Sequence, residues 1–547
     1  MSRRVGPQAL GAGLGLASLM LSAAASATPN PPPSPPKCEP TRAKTSGPPT
    51  AHVLAGDQEH YSPLLRLDMD ECAKLEVPIY GSFATELSPS VAVDRELNEY
   101  QPGVTHRPRF RIGARYNSGL SLAPVQLHAE YEHDLYTGIL GDETSLDAGA
   151  AFPIDRAGYP SPVPGDHELR KAYLRFSLAQ YAHLTAGWQT SHWGLGLLAN
   201  DGAHGWTPGS ASFSNPISGD RVLRGQLATG PLTDLGLMVA VGMDWLDQDL
   251  LADDDVLLEG DTARQFVGAI MLGEGHAHGG GAYAAKRRQE SPDGRVTDVL
   301  AMDLYLRSRV RLGPAWLHLQ TEAAYITGTT DLAPTSDFEE HDVRQFGLAA
   351  RADLDAGLFG SVVDVLYASG DSNFDDEKQT AFKADPNYEM GLLLYRQVIA
   401  AQTARTVATA ADPNLVGVPA DDLDRLPTRG SVTNTLAVFP RLRVRPTAGL
   451  ELYGGALFAF AAQDPADAFN TRVIGGGSPR NAFGSVSSRM LGTEYDIGIR
   501  YRLNVSGAEA TLGGEAGVFT PGPAFTQGDG QQLAAMGGAR LMLDVRM

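Results

Sequence analysis

DVLAMDLYLRSRVRL, residues 298–312, shows the pattern that decides the fold, because apolar and polar side chains alternate along it. Such a period of two places alternate side chains on opposite faces of a β-strand. The apolar face would carry Leu300, Met302, Leu304, Leu306, Val310 and Leu312. The other face would carry Asp303, Tyr305, Arg307, Arg309 and Arg311. The stretch therefore predicts a strand that is apolar on one side and charged on the other.

Arginine rows recur on the polar faces of several other segments with this period. Burying such rows in a dry core would cost several kcal/mol for each unpaired ion, whereas a water-filled lumen avoids most of that cost. We therefore predict that these arginines face the lumen of a barrel and line its pore. The candidates are Arg109, Arg111, Arg115, Arg175, Arg307, Arg309, Arg311, Arg441, Arg443, Arg445, Arg500 and Arg502.

Two roles are open for these arginines. They could attract anions or orient acidic solutes through the focused field of a narrow lumen. They could equally be structural and pair with acids on neighbouring strands, as opposite charges commonly do across a sheet. The candidate partners are Glu130, Glu132, Asp303, Glu322, Asp353, Glu494 and Asp496. Because both signs occupy the predicted inner faces, pairing is the favoured interpretation.

The connections between the segments distinguish a membrane barrel from a soluble sandwich. Short turns such as Gly313-Pro314 alternate with long polar loops, and a transmembrane barrel combines this alternation with a polar interior. The predicted fold class is all-β, a single transmembrane antiparallel β-barrel over residues 77–547. We count eighteen strands, the first beginning at Ile79 and the last ending at Met547. Sixteen or twenty strands remain open, since an even number follows when both ends lie on the periplasmic side.

The N-terminal region predicts export and a separate extension. A charged start, a short apolar stretch and small residues ending at Ala27 indicate a signal peptide over residues 1–27, of the kind that Sec-type export removes. Residues 28–76 follow as a Pro-rich periplasmic extension or small plug, in which Pro63 to Lys74 is a candidate short helix.

Composition and motifs narrow the function. The chain of 547 residues has a formal net charge of −20, which gives no support to nucleic-acid binding. Cys38 and Cys72 are its only cysteines, and we expect them to pair as a disulfide in an oxidising compartment. The sequence lacks a nucleophile elbow, an H-E-x-x-H zinc motif and phosphate- or dinucleotide-binding glycine motifs. We therefore expect no enzyme, no cofactor and no metal site.

The whole pattern resembles Gram-negative outer-membrane barrels of the porin type. The stretches LRKAYLRFSL and AGWQTSHWGLGLLANDG, within residues 169–202, are more specific, and so is DPNYEMGLLLYRQV at residues 385–398. They resemble an uncharacterised family of outer-membrane barrels, with porin-like carbohydrate and alginate-export barrels as more distant relatives. Barrels of this kind usually end in an aromatic residue, whereas this chain ends in Met547. The resemblance implies the architecture of residues 77–547 and no particular substrate.

These observations predict an outer-membrane, porin-like channel for passive diffusion of small hydrophilic solutes, with anions as one option. A plugged structural or adhesive barrel and an outer-membrane hydrolase are the alternatives. Inward folding of at least one long loop is expected, because so large a barrel otherwise leaves a wide channel. The candidates are residues 369–431 and the loop around His192, Trp193 and Trp206. Expected partners are outer-membrane lipid, lipopolysaccharide and the barrel-assembly machinery, and a homo-oligomer is left open.

Overall fold

The computed structural model describes a large part of the chain, including the segment on which the prediction rests. The described residues are 63–68, 73–89, 103–118, 125–137, 140–141, 166–178, 181–216, 219–247, 260–273, 276–332, 338–373, 376–403, 428, 430–486, 488–505 and 507–547. Residues 298–312 belong to the strand Val296–Leu312, which confirms the strand predicted there. The predicted signal peptide, Cys38 and Cys72 lie outside the described residues.

Within the described residues, eighteen strands form the wall of one barrel, each paired with its neighbours along the chain. They are β1 (Ile79–Ser88), β2 (Gly103–Asn117), β3 (Val125–Thr137), β4 (Asp166–Leu178), β5 (Ala182–Thr190), β6 (Arg221–Leu232), β7 (Leu237–Asp247), β8 (Thr262–Leu272), β9 (His278–Glu290), β10 (Val296–Leu312), β11 (Ala315–Thr330), β12 (His341–Ala356), β13 (Phe359–Ala368), β14 (Thr435–Val444), β15 (Leu450–Phe460), β16 (Met490–Val505), β17 (Ala508–Pro521) and β18 (Met536–Arg546). The predicted all-β fold and its count of eighteen strands are confirmed.

The last strand closes the barrel against the first. β18 pairs with β1 in the antiparallel direction, with Arg546 opposite Tyr80. At the end of this seam the backbone N–H of Ile79 donates to the Met547 carbonyl at 2.6 Å, and the N–H of Met547 donates back at 2.8 Å. The other neighbouring wall strands are antiparallel as well. Closure leaves the wall without a free edge.

Short and long connections lie at opposite ends of the barrel. The turn Gly313-Pro314 joins β10 to β11 at the end where Ile79 and Met547 also lie. Most connections at the other end are long, as predicted. Residues 291–295, between β9 and β10, make a tight turn there, closed by a 2.9 Å hydrogen bond from the Ser291 N–H to the Arg295 carbonyl.

The two faces of the strands differ as the alternation predicts. On β10, Leu304 and Leu306 are each 48% exposed on the outer face, whereas Asp303 and Tyr305 are 4% and 0% exposed on the inner face. Large apolar side chains point outward on the other wall strands too, and such an apolar outer belt is what lipid requires of a barrel. No helix among the described residues is long and apolar enough to span a membrane.

Smaller elements decorate the wall. The strands Leu65–Asp68 and Lys74–Val77 pair with each other, and the second pairs with β2. The short helix predicted from Pro63 to Lys74 is therefore wrong at least over Leu65–Asp68, because the backbone there is hydrogen-bonded to a neighbouring strand. Other elements within the described residues include the strands Leu140–Gly141 and Lys378–Gln379, the π-helix Leu394–Ile399, the α-helix Ala468–Val473 and the 3₁₀-helix Pro523–Phe525.

Candidate functional site

Two of the long connections fold back into the barrel. The first lumen loop comprises residues 191–220 and joins β5 to β6; its residues 217 and 218 are not described. The second lumen loop comprises residues 369–434 and joins β13 to β14; its described residues are 369–373, 376–403, 428 and 430–434. Both loops contact the inner face of the wall. The first reaches β11 and β15, and the second reaches β16 and, through Arg396 and Glu86, β1. The predicted inward folding of at least one loop is confirmed.

Two wall carboxylates hold the backbone of the first lumen loop. Glu322, on β11, accepts hydrogen bonds from the backbone N–H of Leu195 and, at 3.2 Å, from that of Leu197. Glu451, on β15, accepts from the backbone N–H of Gly209 and, at 2.8 Å, from that of Ala211. These strands lie far around the wall from β5 and β6, where the loop begins and ends. The loop must therefore cross the interior of the barrel.

Guanidinium groups of the wall hold carbonyl groups of the same loop. Arg441, on β14, donates to the Ala211 carbonyl at 2.8 Å. Arg170, on β4, donates to the Asp201 carbonyl at 2.7 Å, and Arg540 of β18 donates to the Phe213 carbonyl. Donors and acceptors from the wall thus satisfy buried backbone groups that would otherwise be costly in a loop without secondary structure.

Buried aromatic rings fix the first lumen loop at its two ends. Trp193 is fully buried, stacks on Tyr283 of β9 at 5.4 Å between ring centroids, and donates its indole N–H to Asp303 Oδ1 at 2.9 Å. Near the other end, the Phe213 ring lies 4.8 Å from that of Tyr453. Stacking of the Trp193 ring and hydrogen bonding of its indole N–H together hold this end of the loop in place.

The second lumen loop is held in the same way by one carboxylate. Glu494, on β16, accepts hydrogen bonds from three consecutive backbone N–H groups, those of Leu392 at 2.5 Å, Leu393 at 2.8 Å and Leu394 at 2.7 Å. The π-helix Leu394–Ile399 begins at this point. The first N–H groups of a helix have no partner within the helix, and a carboxylate of the wall supplies one.

A glycine in the wall makes room for the second lumen loop. Gly347, on β12, faces the ring of Phe382, which is fully buried. A Cβ at this position would lie 2.6 Å from Cζ and 2.9 Å from Cδ1 of that ring, closer than non-bonded carbons approach. The missing side chain therefore creates the hollow that receives Phe382.

The two lumen loops also contact each other. Asp385 accepts a hydrogen bond from the Asn200 N–H at 3.1 Å and donates its own N–H to the Leu197 carbonyl at 2.9 Å. Glu389 accepts from the Asn215 N–H and pairs with Arg396. The two specific stretches of the sequence, within residues 169–202 and 385–398, therefore meet inside the barrel.

The predicted lumen arginines on β2 face inward and are paired. Arg109 and Arg111 lie 3.5 Å and 2.5 Å from Asp134 of β3. Arg115 lies 3.1 Å from Glu130. These contacts fit the structural interpretation, in which inner-face cations are neutralised by acids on the next strand.

Pairing extends to the predicted arginines on β14 and β16. Arg441 binds Asp364 as well as the loop, and Arg443 lies 2.8 Å from Asp353. Arg500 lies 2.8 Å from Glu515, which also binds Arg540 at 2.6 Å. Arg502 lies 3.3 Å from Glu509.

The β10 arginines have different surroundings. Arg307 donates to the Gly273 carbonyl at 2.9 Å. Arg309 and Arg311 lie 4.2 Å and 5.7 Å from the ring centroid of Trp316, next to the Gly313-Pro314 turn. This inner-face group places guanidinium charge at the short-turn mouth of the barrel.

Two more predicted arginines complete the set. Arg175 of β4 is half-buried between the exposed Leu174 and Phe176, which places it on the inner face. Arg445 follows β14 and donates its backbone N–H to the Leu358 carbonyl at 2.8 Å, at the short-turn end.

Three of the acids predicted to pair with arginines have other partners. Glu322 and Glu494 accept loop N–H groups, and Asp303 accepts from the Trp193 indole N–H. Glu451 was not singled out at all. Only the path of the loops through the lumen reveals these roles, and the local alternation contains no signal of that path.

A second kind of polar cluster lies at the base of the first lumen loop. His204 Nδ1 lies 2.8 Å and His192 Nδ1 lies 3.8 Å from Asp201 Oδ1, and the two imidazole rings stack with centroids 3.6 Å apart. Burial, together with the neighbouring His204, lowers the pKa of His192 to about 3. Burial alone would raise the pKa of Asp201, but His204 and the Ala203 N–H hold that pKa well below its usual range.

A small cavity opens where the second lumen loop meets other long connections. Its volume is about 160 Å³, and its wall combines apolar and polar side chains. The lining includes Ile399, Gln402, Ala461, Asp467 and Phe525. The cavity lies at the long-loop end of the barrel.

Comparison with solved structures returns porins of low sequence identity. OccK5 (OpdH) of Pseudomonas aeruginosa has a TM-score of 0.47 at 9% identity, over 87% of this chain and 98% of that one. A BenF-like porin from Pseudomonas fluorescens Pf-5 has 0.47 at 11%, over 86% and 98%. OccAB1 of Acinetobacter baumannii has 0.46 at 11%, over 86% and 96%. Identities this low carry no information on substrate.

No protein-family model and no curated protein matches the chain. The closer resemblance to one uncharacterised barrel family therefore stays a prediction, whereas the closed barrel of eighteen antiparallel strands is observed.

Proposed function

We propose that the protein is an outer-membrane channel through which small hydrophilic solutes diffuse passively, and that the two lumen loops form its selective constriction. The observation that carries the proposal is the set of inner-face carboxylates, Glu322, Glu451 and Glu494, that bind backbone N–H groups of both loops. A barrel of this size without inward loops would leave a wide aqueous channel. Loops held at fixed points on the wall narrow such a channel to a defined shape.

The polar interior supports a transport role. Charged side chains inside a membrane-spanning structure are expensive, and they usually mark solute or ion pathways. Here the inner face keeps many of them, including Arg111 with Asp134 and Arg500 with Glu515. A barrel with a purely mechanical role could fill its interior with apolar side chains instead.

An anion preference is the finer part of the proposal. At the short-turn mouth, the guanidinium groups of Arg309 and Arg311 lie beside the Trp316 ring. Guanidinium charge at a pore mouth raises the local concentration of anions. The paired arginines deeper in the barrel contribute less, because their charge is neutralised at short range.

A barrel closed by its loops is the competing candidate, and one observation favours it. Arg170, Arg224 and Arg287 are almost fully buried inside the barrel, which shows that parts of the lumen are densely filled. A closed barrel would fold and insert like a channel but would pass no solute.

The cellular setting follows from the channel proposal. The chain would be exported by the Sec route after recognition of residues 1–27, and β18 would be presented to the barrel-assembly machinery. The apolar belt would face outer-membrane lipid and lipopolysaccharide. Copies of the chain could also associate, as porins often do.

Solute flux into proteoliposomes tests the proposal. Vesicles containing the refolded chain, expressed without residues 1–27, would be placed in isotonic glucose or sodium gluconate, which are similar in size but differ in charge. A channel predicts swelling in both, and the reversal potential in a salt gradient reports any preference for anions. Folded, heat-modifiable protein with no swelling in either would contradict the channel and favour the closed barrel. Release of fatty acid from the vesicle lipid in the same preparation would instead indicate a hydrolase.

A further inference from the structure

The base of the first lumen loop gathers three potential metal ligands. His192, Asp201 and His204 each offer one ligand atom, and these atoms lie within 4.8 Å of one another. Imidazole nitrogen and carboxylate oxygen are the ligands that Zn²⁺ and other late divalent transition metals accept together. Ca²⁺ and Mg²⁺ prefer all-oxygen sites.

The spacing of these atoms is close to that of a coordination shell. With metal–ligand distances near 2.0–2.2 Å, tetrahedral ligands lie about 3.3 Å apart. The two distances to Asp201 Oδ1, 2.8 Å from His204 Nδ1 and 3.8 Å from His192 Nδ1, lie on either side of that value. Shifts of about half an ångström would bring these two distances to the tetrahedral value.

Asp201 provides a second and independent observation. The residue is 0% exposed, and its Oδ2 atom makes no hydrogen bond within the described part of the chain. Its Oδ1 atom accepts from the Ala203 N–H at 3.0 Å and contacts His204. A buried carboxylate oxygen without a partner is costly, and a cation bound by this carboxylate would remove that cost.

The surrounding chain holds the ligands firmly. The Trp193 N–H donates to the Ala199 carbonyl at 3.1 Å, and the Asp220 N–H donates to the Asn200 carbonyl at 3.1 Å. The Asp201 carbonyl is held by Arg170. His204 is the exposed member, with 36% of its side chain accessible, so it leaves a path for an ion and a position for water.

We propose that His192, Asp201 and His204 form a binding site for one divalent transition-metal ion, Zn²⁺ being the best match. The ion would be held by two imidazoles and one carboxylate, with water in the open fourth position. The site is independent of the channel proposal, because it requires only the first lumen loop as folded.

Isothermal titration of the refolded full barrel with Zn²⁺, with Ca²⁺ as a parallel titrant, tests the site. We expect one equivalent of Zn²⁺ to bind and Ca²⁺ not to compete. His204→Ala should weaken binding at least about tenfold, since even outer-shell changes at metal sites have effects of that size. The exposed position of His204 makes this variant safe for folding, whereas His192→Ala would leave a gap in a buried site.

A second histidine pair provides the matched control. His133 and His167, on β3 and β4, stack with Nε2 and Nδ1 3.2 Å apart on the exposed surface. His167→Ala should leave the tight Zn²⁺ equivalent unchanged. Absence of a stoichiometric Zn²⁺ equivalent in the unmodified protein would overturn the proposal. The proposal would also be overturned if His167→Ala lost the tight Zn²⁺ equivalent while His204→Ala retained it.

Cobalt supplies a readout that depends on ligand geometry. Co²⁺ added to the unmodified protein should give the intense ligand-field absorption of a low-coordinate N/O site, and Asp201→Asn should abolish it while the barrel remains heat-modifiable. A weak octahedral spectrum in both proteins would contradict the assigned ligands.

Discussion

Glu494 accepts the backbone N–H of Leu393 at 2.8 Å, and the N–H groups on either side of it bind the same carboxylate. A single side chain of β16 therefore holds the second lumen loop where its π-helix begins. Hydrogen bonds to a charged acceptor contribute about 1.5–3 kcal/mol each. This contact should be among the strongest links between loop and wall.

Replacing this carboxylate should release the second lumen loop. In Glu494→Gln, the amide NH₂ cannot accept, so at least one of the three N–H groups loses its partner. We expect opening of the loop to rise at least about tenfold, equivalent to about 1.4 kcal/mol. Hydrogen exchange at Leu392, Leu393 and Leu394, measured by mass spectrometry, should accelerate accordingly. Unchanged protection of these amides would refute the tethering role.

Two acids on β17 should differ sharply in their contribution to stability. Glu515 binds both Arg500 and Arg540 and is 4% exposed. Glu515→Gln therefore removes the paired carboxylate from buried Arg500 and the nearer carboxylate from buried Arg540, which keeps Glu86 at 3.5 Å. We expect a loss of about 3–5 kcal/mol in the free energy of unfolding. Glu509→Gln breaks the more exposed pair with Arg502 and should lower stability by about 0–1 kcal/mol. Urea unfolding in lipid vesicles measures both, and equal losses would argue against a buried network.

The hollow at Gly347 gives a test by rescue. Gly347→Ala should push Phe382 out of place and destabilise the second lumen loop by about 1–3 kcal/mol. Adding Phe382→Ala should remove most of the extra loss, because the three atoms nearest to the added Cβ all belong to Phe382. Gly268→Ala on β8 is the control, since a Cβ there meets nothing within 4 Å. The stability of the loop is measured by its rate of proteolysis. If the destabilisation in the double variant equals the sum of those in the two single variants, the two positions are independent and the clash is not the cause.

Charge at the short-turn mouth should set ion selectivity. The double variant Arg309→Gln and Arg311→Gln removes two inner-face cations beside Trp316. We expect the anion-to-cation permeability ratio to fall about two- to fivefold at low salt, and less at high salt because of screening. Arg288→Gln removes the same kind of charge from an exposed position on β9 and should leave the ratio unchanged. If the unmodified protein, the double variant and Arg288→Gln all gave the same reversal potential, Arg309 and Arg311 would not determine the ion selectivity.

The wall of the barrel could be predicted from the sequence, and its interior only in part. Alternation along residues 298–312 identified β10, because lipid and water impose opposite demands on successive side chains. Local pairs such as Arg115 with Glu130 follow from neighbouring strands. By contrast, the contact of Glu451 with Gly209 joins residues 242 positions apart, and no local period encodes the path of a loop through a lumen. His192 was noted only as part of a Trp-rich loop, and the spacing to Asp201 and His204 matches no common metal motif.

The most direct test of a channel constricted by its lumen loops is single-channel recording in planar bilayers. The unmodified chain would be compared with a variant in which residues 385–427 are replaced by a short Gly/Ser linker. Our account predicts discrete current steps for the unmodified barrel and steps several-fold larger for the variant. Equal steps in the two proteins would show that the second lumen loop does not constrict the pore. Two folded, heat-modifiable barrels that both carry no current would contradict the channel itself.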